Sequence, residues 1–267
     1  MNDLLTRHEE QFRAYTRPFL AGGDGNVSLK QAHTFRVLDN ARALCDFHSL
    51  NGDTRKAVLL GALYHDIGRF PQYRDYGTFR DSDSANHALL GIGALHRNRF
   101  LKDLPDTLRR TVHAAVSLHN VRILPQNTPA EIRRVVCAVR DADKLDIFPV
   151  VLDHLENPDM DGGVILMNTR RDPERYTPEL LEQILSGALG DYSLMEWSND
   201  FAILLSGWVF DLNYGFSSHH LSKRGLIDRL LHLLPDTPQI RELKQRVLGE
   251  IERRSANNAV AIASCTG

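Results

Sequence analysis

Val58-Leu-Leu-Gly-Ala-Leu-Tyr-His-Asp-Ile-Gly68 is an apolar run that closes on an adjacent histidine and aspartate. Asp53 is placed to cap its start and Gly68 to stand just past its end, so the stretch predicts a helix with His65 and Asp66 in its last turn. Neighbouring helical residues point about 100° apart, so both side chains reach one ion only if it lies beside the helix and the other ligands arrive from elsewhere. His33 upstream, and Asp143 in Arg140-Asp-Ala-Asp-Lys-Leu-Asp146 downstream, are far enough away in sequence to come from other helices. Two imidazoles and two carboxylates form a ligand set for a hard or borderline divalent metal. A metal-dependent hydrolase is the first reading of such a set.

Composition agrees with an enzyme of this kind. With 267 residues, 42% of them hydrophobic, the chain can bury a substantial core as one large domain or as one domain with an extension. Its 32 basic and 34 acidic residues nearly cancel to a formal charge of −2, which argues against a general nucleic-acid surface and for a small ligand. Cys45, Cys137 and Cys265 are few, widely spaced and odd in number, so neither a disulfide framework nor a zinc knuckle is expected, and a reducing cytoplasm fits best. The N-terminal residues have no apolar core or cleavage site, and no later window approaches the roughly 18 apolar residues of a membrane span. The expected setting is cytoplasmic, without membrane attachment and without a stable nucleic-acid complex.

The pattern along the chain is helical nearly everywhere. Residues 3 to 18 are amphipathic, Gly22 to Asn26 reads as a loop, and Ser28 is placed to cap a helix carrying His33 near its start. Gly68 to Asp83 reads as an extended loop beside the site, able to shape substrate access, after which Ser84 caps a helix through about His96. Leu104 to Leu118 predicts the next helix. Thr128-Pro-Ala-Glu131 gives a strong start signal for the helix that ends in Asp143. Pro158 to Gly163 breaks the pattern, Asp172 to Pro178 is a second polar break, and residues 179 to 254 predict three or four helices that pack on the core. The expected organisation is an N-terminal helix and loop over 1–27, a metal-binding core over 28–158, a helical extension over 159–254 and a loose tail over 255–267.

These residues resemble the HD-domain superfamily of metal-dependent phosphohydrolases, whose pattern is H…HD…D. The resemblance rests on His33 in Gln-Ala-His-Thr-Phe-Arg-Val, His65-Asp66 in Tyr-His-Asp-Ile-Gly-Arg and Asp143 in Ala-Asp-Lys-Leu, and it spans about residues 28 to 150. The family's final aspartate has an Ala-Asp-x-Leu context, which favours Asp143 over Asp141 or Asp146. The resemblance implies an all-α fold, an HD-domain helical bundle on which the C-terminal helical extension read from the pattern above is expected to pack, and one or two divalent ions held between helices. Two-metal members add histidines between the HD pair and the last aspartate. His87 in Ser-Ala-Asn-His-Ala-Leu-Leu-Gly and His119 in Ser-Leu-His-Asn occupy that interval. They lead us to expect a binuclear centre bridged by Asp66, with ions about 3.5–4 Å apart. One ion on His33, His65, Asp66 and Asp143 is the alternative, and manganese, iron, cobalt, nickel and magnesium all suit such donors.

Arg69, Lys144 and Arg36 are the candidate phosphate-binding groups. Arg69 follows the HD helix directly, where related phosphodiesterases often carry a lysine; Arg36 lies one turn after His33, and Lys144 adjoins Asp143. The expected reaction is attack on a phosphate ester by a metal-bound hydroxide, with Asp66 anchoring metal and orienting water and with Asp146 or Asp83 assisting proton transfer. Consistently, the sequence has neither a Gly-x-Ser-x-Gly elbow nor a Gly-x-x-x-x-Gly-Lys-Ser/Thr loop. A nucleotide or small phosphorylated metabolite is the expected substrate; the Gly-Tyr-Pro triplet of the cyclic-di-GMP-cleaving subgroup is absent. A similar ligand set also supports di-iron oxygenases acting on small polar substrates, which is the alternative activity. A binding module without catalysis is disfavoured because no ligand position is missing. The remaining histidines, among them His8, His48 and His113, read as surface or core-edge residues.

Overall fold

The structure is a computed structural model that describes residues 2–157 and 169–256. Among these residues the chain is all-α, with no strand beyond an isolated bridge between Arg170 and Trp197. It forms two compact units, Met1–Asp143 and Lys144–Gly267. No helix among the described residues is long and apolar enough to cross a membrane.

The first unit contains α1 (Asn2–Leu20), α2 (Gly25–Phe47), α3 (Gly52–Tyr64), α4 (Arg69–Tyr76), α5 (His87–Arg97), α6 (Asp106–Leu118) and the opening half of α7 (Ala130–Glu156). Every residue of α3 from Ala57 to Tyr64 is buried. A helix that is apolar on all sides needs neighbours on all sides, and α1, α2 and α6 pack on it. Gly61 permits the closest approach, because a Cβ there would lie 3.0 Å from Ala115 Cβ on α6 and 3.0 Å from Val139 Cγ2 on α7. Asn40 on α2 donates to the Ala142 carbonyl at 3.1 Å and so fixes the part of α7 that carries Asp143. Residues 1–27 belong to the same unit as these helices.

Several helix ends differ from the sequence expectation, each for a local reason. Helix α2 starts at Gly25 rather than after Ser28, because the Asp24 carboxylate accepts the Asn26 N–H at 2.7 Å. Helix α3 stops at Tyr64, and Gly68 is not its left-handed terminator, since its φ is −72°. The chain turns through His65 to Gly68 and restarts as α4, where an extended loop was expected. Pro71 is compatible with α4 because it falls in the first turn, where a backbone N–H has no intrahelical acceptor to lose. Gly77 ends α4 at φ 69°, its N–H donating to Tyr73 O at 2.8 Å. Asn86, not Ser84, caps α5 and accepts from the N–H groups of Ala88 and Leu89 at 2.9 and 3.2 Å. Thr128 donates its hydroxyl to Pro125 O at 2.7 Å instead of accepting from α7.

The second unit contains the rest of α7 and then α8 (Pro178–Leu185), α9 (Ser198–Trp208), α10 (Gly215–Lys223), α11 (Leu226–Leu233) and α12 (Pro238–Ala256), more helices than expected. Its α8 to α9 connection is organised by Asp200, a fully buried carboxylate that accepts from Thr177 N, Thr177 Oγ1, Glu196 N and Trp197 N at 2.7 to 2.9 Å. Four donors satisfy a charge that would otherwise be costly to bury. The expected break at Pro158 to Gly163 lies outside the described residues, as do residues 257–267 of the expected tail; Ser255 and Ala256 end α12.

Candidate metal centre

His65 and His119 reach the same pocket by the same device. Each stands at the C-terminal end of a helix, α3 and α6, and each folds its ring back so that Nδ1 meets the carbonyl three residues earlier: Ala62 O at 2.7 Å and Val116 O at 2.8 Å. A carbonyl only accepts, so Nδ1 carries the proton in both rings and Nε2 faces the pocket. His87, the first residue of α5, achieves the same result with a side chain: its Nδ1 lies 2.7 and 2.9 Å from the two oxygens of Asp81. Histidines that bind metal are oriented in this way by a partner on the other ring nitrogen.

The six candidate ligands fall into two sets, His33 with His65 and Asp143, and Asp66 with His87 and His119; within each set the donor atoms all lie within 4.8 Å of one another. Nε2 of His33 is 3.3 Å from Nε2 of His65 and 3.1 Å from Asp143 Oδ1. Nε2 of His87 is 2.9 Å from Nε2 of His119. Asp66 lies between the sets. Its Oδ2 is 3.6 and 3.7 Å from Nε2 of His33 and His65, while its Oδ1 is 3.4 and 3.8 Å from Nε2 of His87 and His119.

A divalent metal fits this arrangement. Two neutral imidazole nitrogens that face each other at 2.9 Å repel through their lone pairs unless a cation lies against both. Two nitrogens bound at about 2.1 Å to one ion and at right angles lie about 3 Å apart, which matches the observed spacings. The electrostatics also favour a cation. Burial pushes the Asp66 carboxyl up, but Lys30, His65, His119 and Arg69 together hold it well below the usual carboxylate range. Burial likewise opposes ionisation of Asp143, and the neighbouring imidazoles of His33 and His65 outweigh it. His87 is pushed down to about 4, by burial first, so it stays a neutral donor. Burial also disfavours charge on His65, yet Asp66 and Asp143 hold its pKa above the ordinary value, a sign that this corner attracts positive charge.

The other residues expected at the site differ in how they are held. Arg69 Nη1 donates to Gln72 Oε1 and Asp81 Oδ1, both at 2.9 Å, and to Phe79 O, while its Nε stands 3.4 Å from Asp66 Oδ1. Lys144, within the second unit, gives its ammonium to the carboxylate and the carbonyl of Asp211, so a phosphate there would have to compete with that pair. Arg36 is exposed on α2, and Asp83 is about half exposed and paired with Arg80 at 3.6 Å. Asp146 is buried. Two contacts were not read from the sequence: Asp81 on His87, and Lys30, whose Nζ is 3.0 Å from Asp66 Oδ2. His8, expected at the surface or core edge, is fully inside and bonds the Tyr64 hydroxyl at 2.8 Å.

Residues 31–147, which carry all six candidate ligands, match the family model of the HD domain. No curated protein and no solved structure matches the chain. Residues 31–147 are accordingly an HD domain, consistent with the HD-domain superfamily of metal-dependent phosphohydrolases.

Proposed function

We propose that the protein hydrolyses a phosphate ester of a nucleotide or small phosphorylated metabolite with two divalent ions, one on each ligand set. The observation that carries this reading is Asp66, a single buried carboxylate whose two oxygens face two separate groups of imidazole nitrogens. When bound, such ions acidify a coordinated water towards neutral pKa and neutralise charge on the phosphoryl oxygens, so no protein nucleophile is required. The protein's own task is placement. Ala62, Val116 and Asp81 fix three imidazoles with Nε2 inward, and Asp66 and Asp143 remain ionised at neutral pH. Arg69 is held by Gln72, Phe79 and Asp81 beside Asp66, and its Nη2 makes no hydrogen bond to a described residue, leaving a guanidinium edge for a phosphoryl oxygen. The cytoplasm is the proposed setting, with a small phosphorylated molecule as the partner.

Metal content by mass spectrometry on anaerobically purified protein, paired with phosphate release from a panel of esters in manganese or iron, tests the proposal. Two ions per chain with phosphate release are expected, and Asp66→Ala is expected to lose most of the metal and all activity. Full metal content in that variant would overturn the bridging role. Two irons with oxygen uptake and no phosphate release would replace the hydrolase with an oxygenase.

A further inference from the structure

Lys30 lies on α2 one turn before His33 and directs its ammonium at Asp66 Oδ2. The lysine side chain is 22% exposed against 5% for Asp66, so of the two groups it is the one more accessible to an incoming solute. The Phe79 ring lies 5.7 Å from Nζ, and Phe79 packs against Tyr73 with centroids 4.7 Å apart. Both rings are partly exposed. Among the described residues Lys30 Nζ has no hydrogen-bond partner besides Asp66, in contrast to Lys144 with Asp211 and to Arg69 Nη1 with its three acceptors.

The oxygen that Lys30 holds is also the one that faces Nε2 of His33 and His65. Oδ2 therefore has two claimants, an ammonium and the ion for which the His33, His65 and Asp143 set is built. Once Asp66 is neutralised by an ion its attraction for Lys30 falls, because the Coulomb energy follows the product of the charges. A four-carbon stem with three rotatable donors then lets the ammonium turn to another anion nearby. Arg69 stands in the corresponding place on the other side, 3.4 Å from Oδ1, so the two oxygens of Asp66 are each matched by one cation.

We infer that Lys30 binds the substrate's phosphate on the His33 and His65 side of the centre, and that Phe79 is the apolar surface on which the esterified group rests. The inference rests on the phosphohydrolase reading and adds the side chains that select a phosphate with an apolar or planar substituent. It is tested on the full chain loaded with manganese, comparing Lys30→Met, Lys30→Arg and Phe79→Ala with the parent. Metal content, KM and kcat for the best ester of the panel, and the Kd of inorganic phosphate by calorimetry are measured. Lys30→Met is expected to keep the parent's metal content and to raise both KM and the phosphate Kd by about tenfold or more, the loss of a charged hydrogen bond. Lys30→Arg is expected to restore most of both, and Phe79→Ala to raise KM while leaving the phosphate Kd unchanged. An unchanged KM and phosphate Kd in Lys30→Met would overturn the inference, and so would loss of metal, which would make Lys30 a prop of the ligand set. If the parent releases phosphate from no ester, the hydrolase reading fails on that result alone, and the phosphate Kd still decides whether Lys30 is an anion site.

Discussion

Asp81 meets the Nδ1 edge of His87 with both carboxylate oxygens, and it is in turn held by Arg69 Nη1 and by Gln72 Nε2 at 2.9 Å each. Its pKa falls to about 2 although burial opposes this, because His87, Arg69 and Gln72 favour the charged form. A full negative charge behind the ring fixes the tautomer and strengthens Nε2 as a donor. Asp81→Asn keeps the shape but removes the charge, so the Asp66, His87 and His119 set is expected to bind manganese about 10–100-fold more weakly, with the His33 set unaffected. A calorimetric titration resolving two sites checks this; equal weakening of both sites would show that Asp81 acts on the whole pocket. The six candidate ligands, which the fold gathers into two neighbouring sets, were legible because each sits in a short recognisable context. Lys30 was within reach too, since a residue three before His33 shares its helical face. Asp81 was not, because it stands outside α5, beyond the Asn86 cap, and meets the ring only through the turn that Gln72 folds.

Among the elements, the turn from α3 into α4 decides whether the two ligand sets come together. Gly68 needs no unusual backbone angle, only space: a Cβ on it would lie 2.0 Å from His87 O and 2.4 Å from Gly91 N. This contact presses the His65-Asp66 turn against the first turns of α5 and so brings His87 to Asp66. Both obstacles are backbone, which cannot swing aside as a side chain can. Gly68→Ala is therefore expected to cost at least the roughly 1–3 kcal/mol typical of overpacking, and to lower the thermal midpoint of metal-free protein. Gly25→Ala, where nothing lies within 4 Å, serves as the control. A midpoint no lower than the control's would show that α5 can shift. Sequence periodicity found α3 and the other apolar helices, since those patterns reflect burial. It missed α4 because Pro71, two tyrosines and alternating charges look like a loop until the first-turn position of the proline is known.

For the whole chain, a formal charge of −2 keeps general self-repulsion small near neutral pH, so acid sensitivity falls to particular buried groups. His8 is one of them. Its Nδ1 pairs with the Tyr64 hydroxyl, its Nε2 is buried without a partner, and its pKa is lowered to about 4, by burial first and then by Arg7, against the pull of Asp103. An unfolded chain takes up this proton near the ordinary value of 6.5 while the folded chain resists it down to about 4. The stabilising contribution is thus fully present above about pH 6.5 and is lost as pH falls towards 4, where the unfolded state binds more protons. Nothing in the sequence marked His8 as buried, because the histidine of an amphipathic N-terminal helix reads as polar until Tyr64 is seen opposite it. His8→Gln removes the titration and keeps a polar side chain. Urea unfolding at pH 7 and pH 4.5 in a chelator, which keeps metal uptake out of the comparison, is expected to show the parent losing on the order of 2 kcal/mol more than the variant across that interval. His87 titrates in both proteins and cancels in the difference. An equal acid loss in parent and variant would mean that the His8 ring is reached by water before the first unit unfolds.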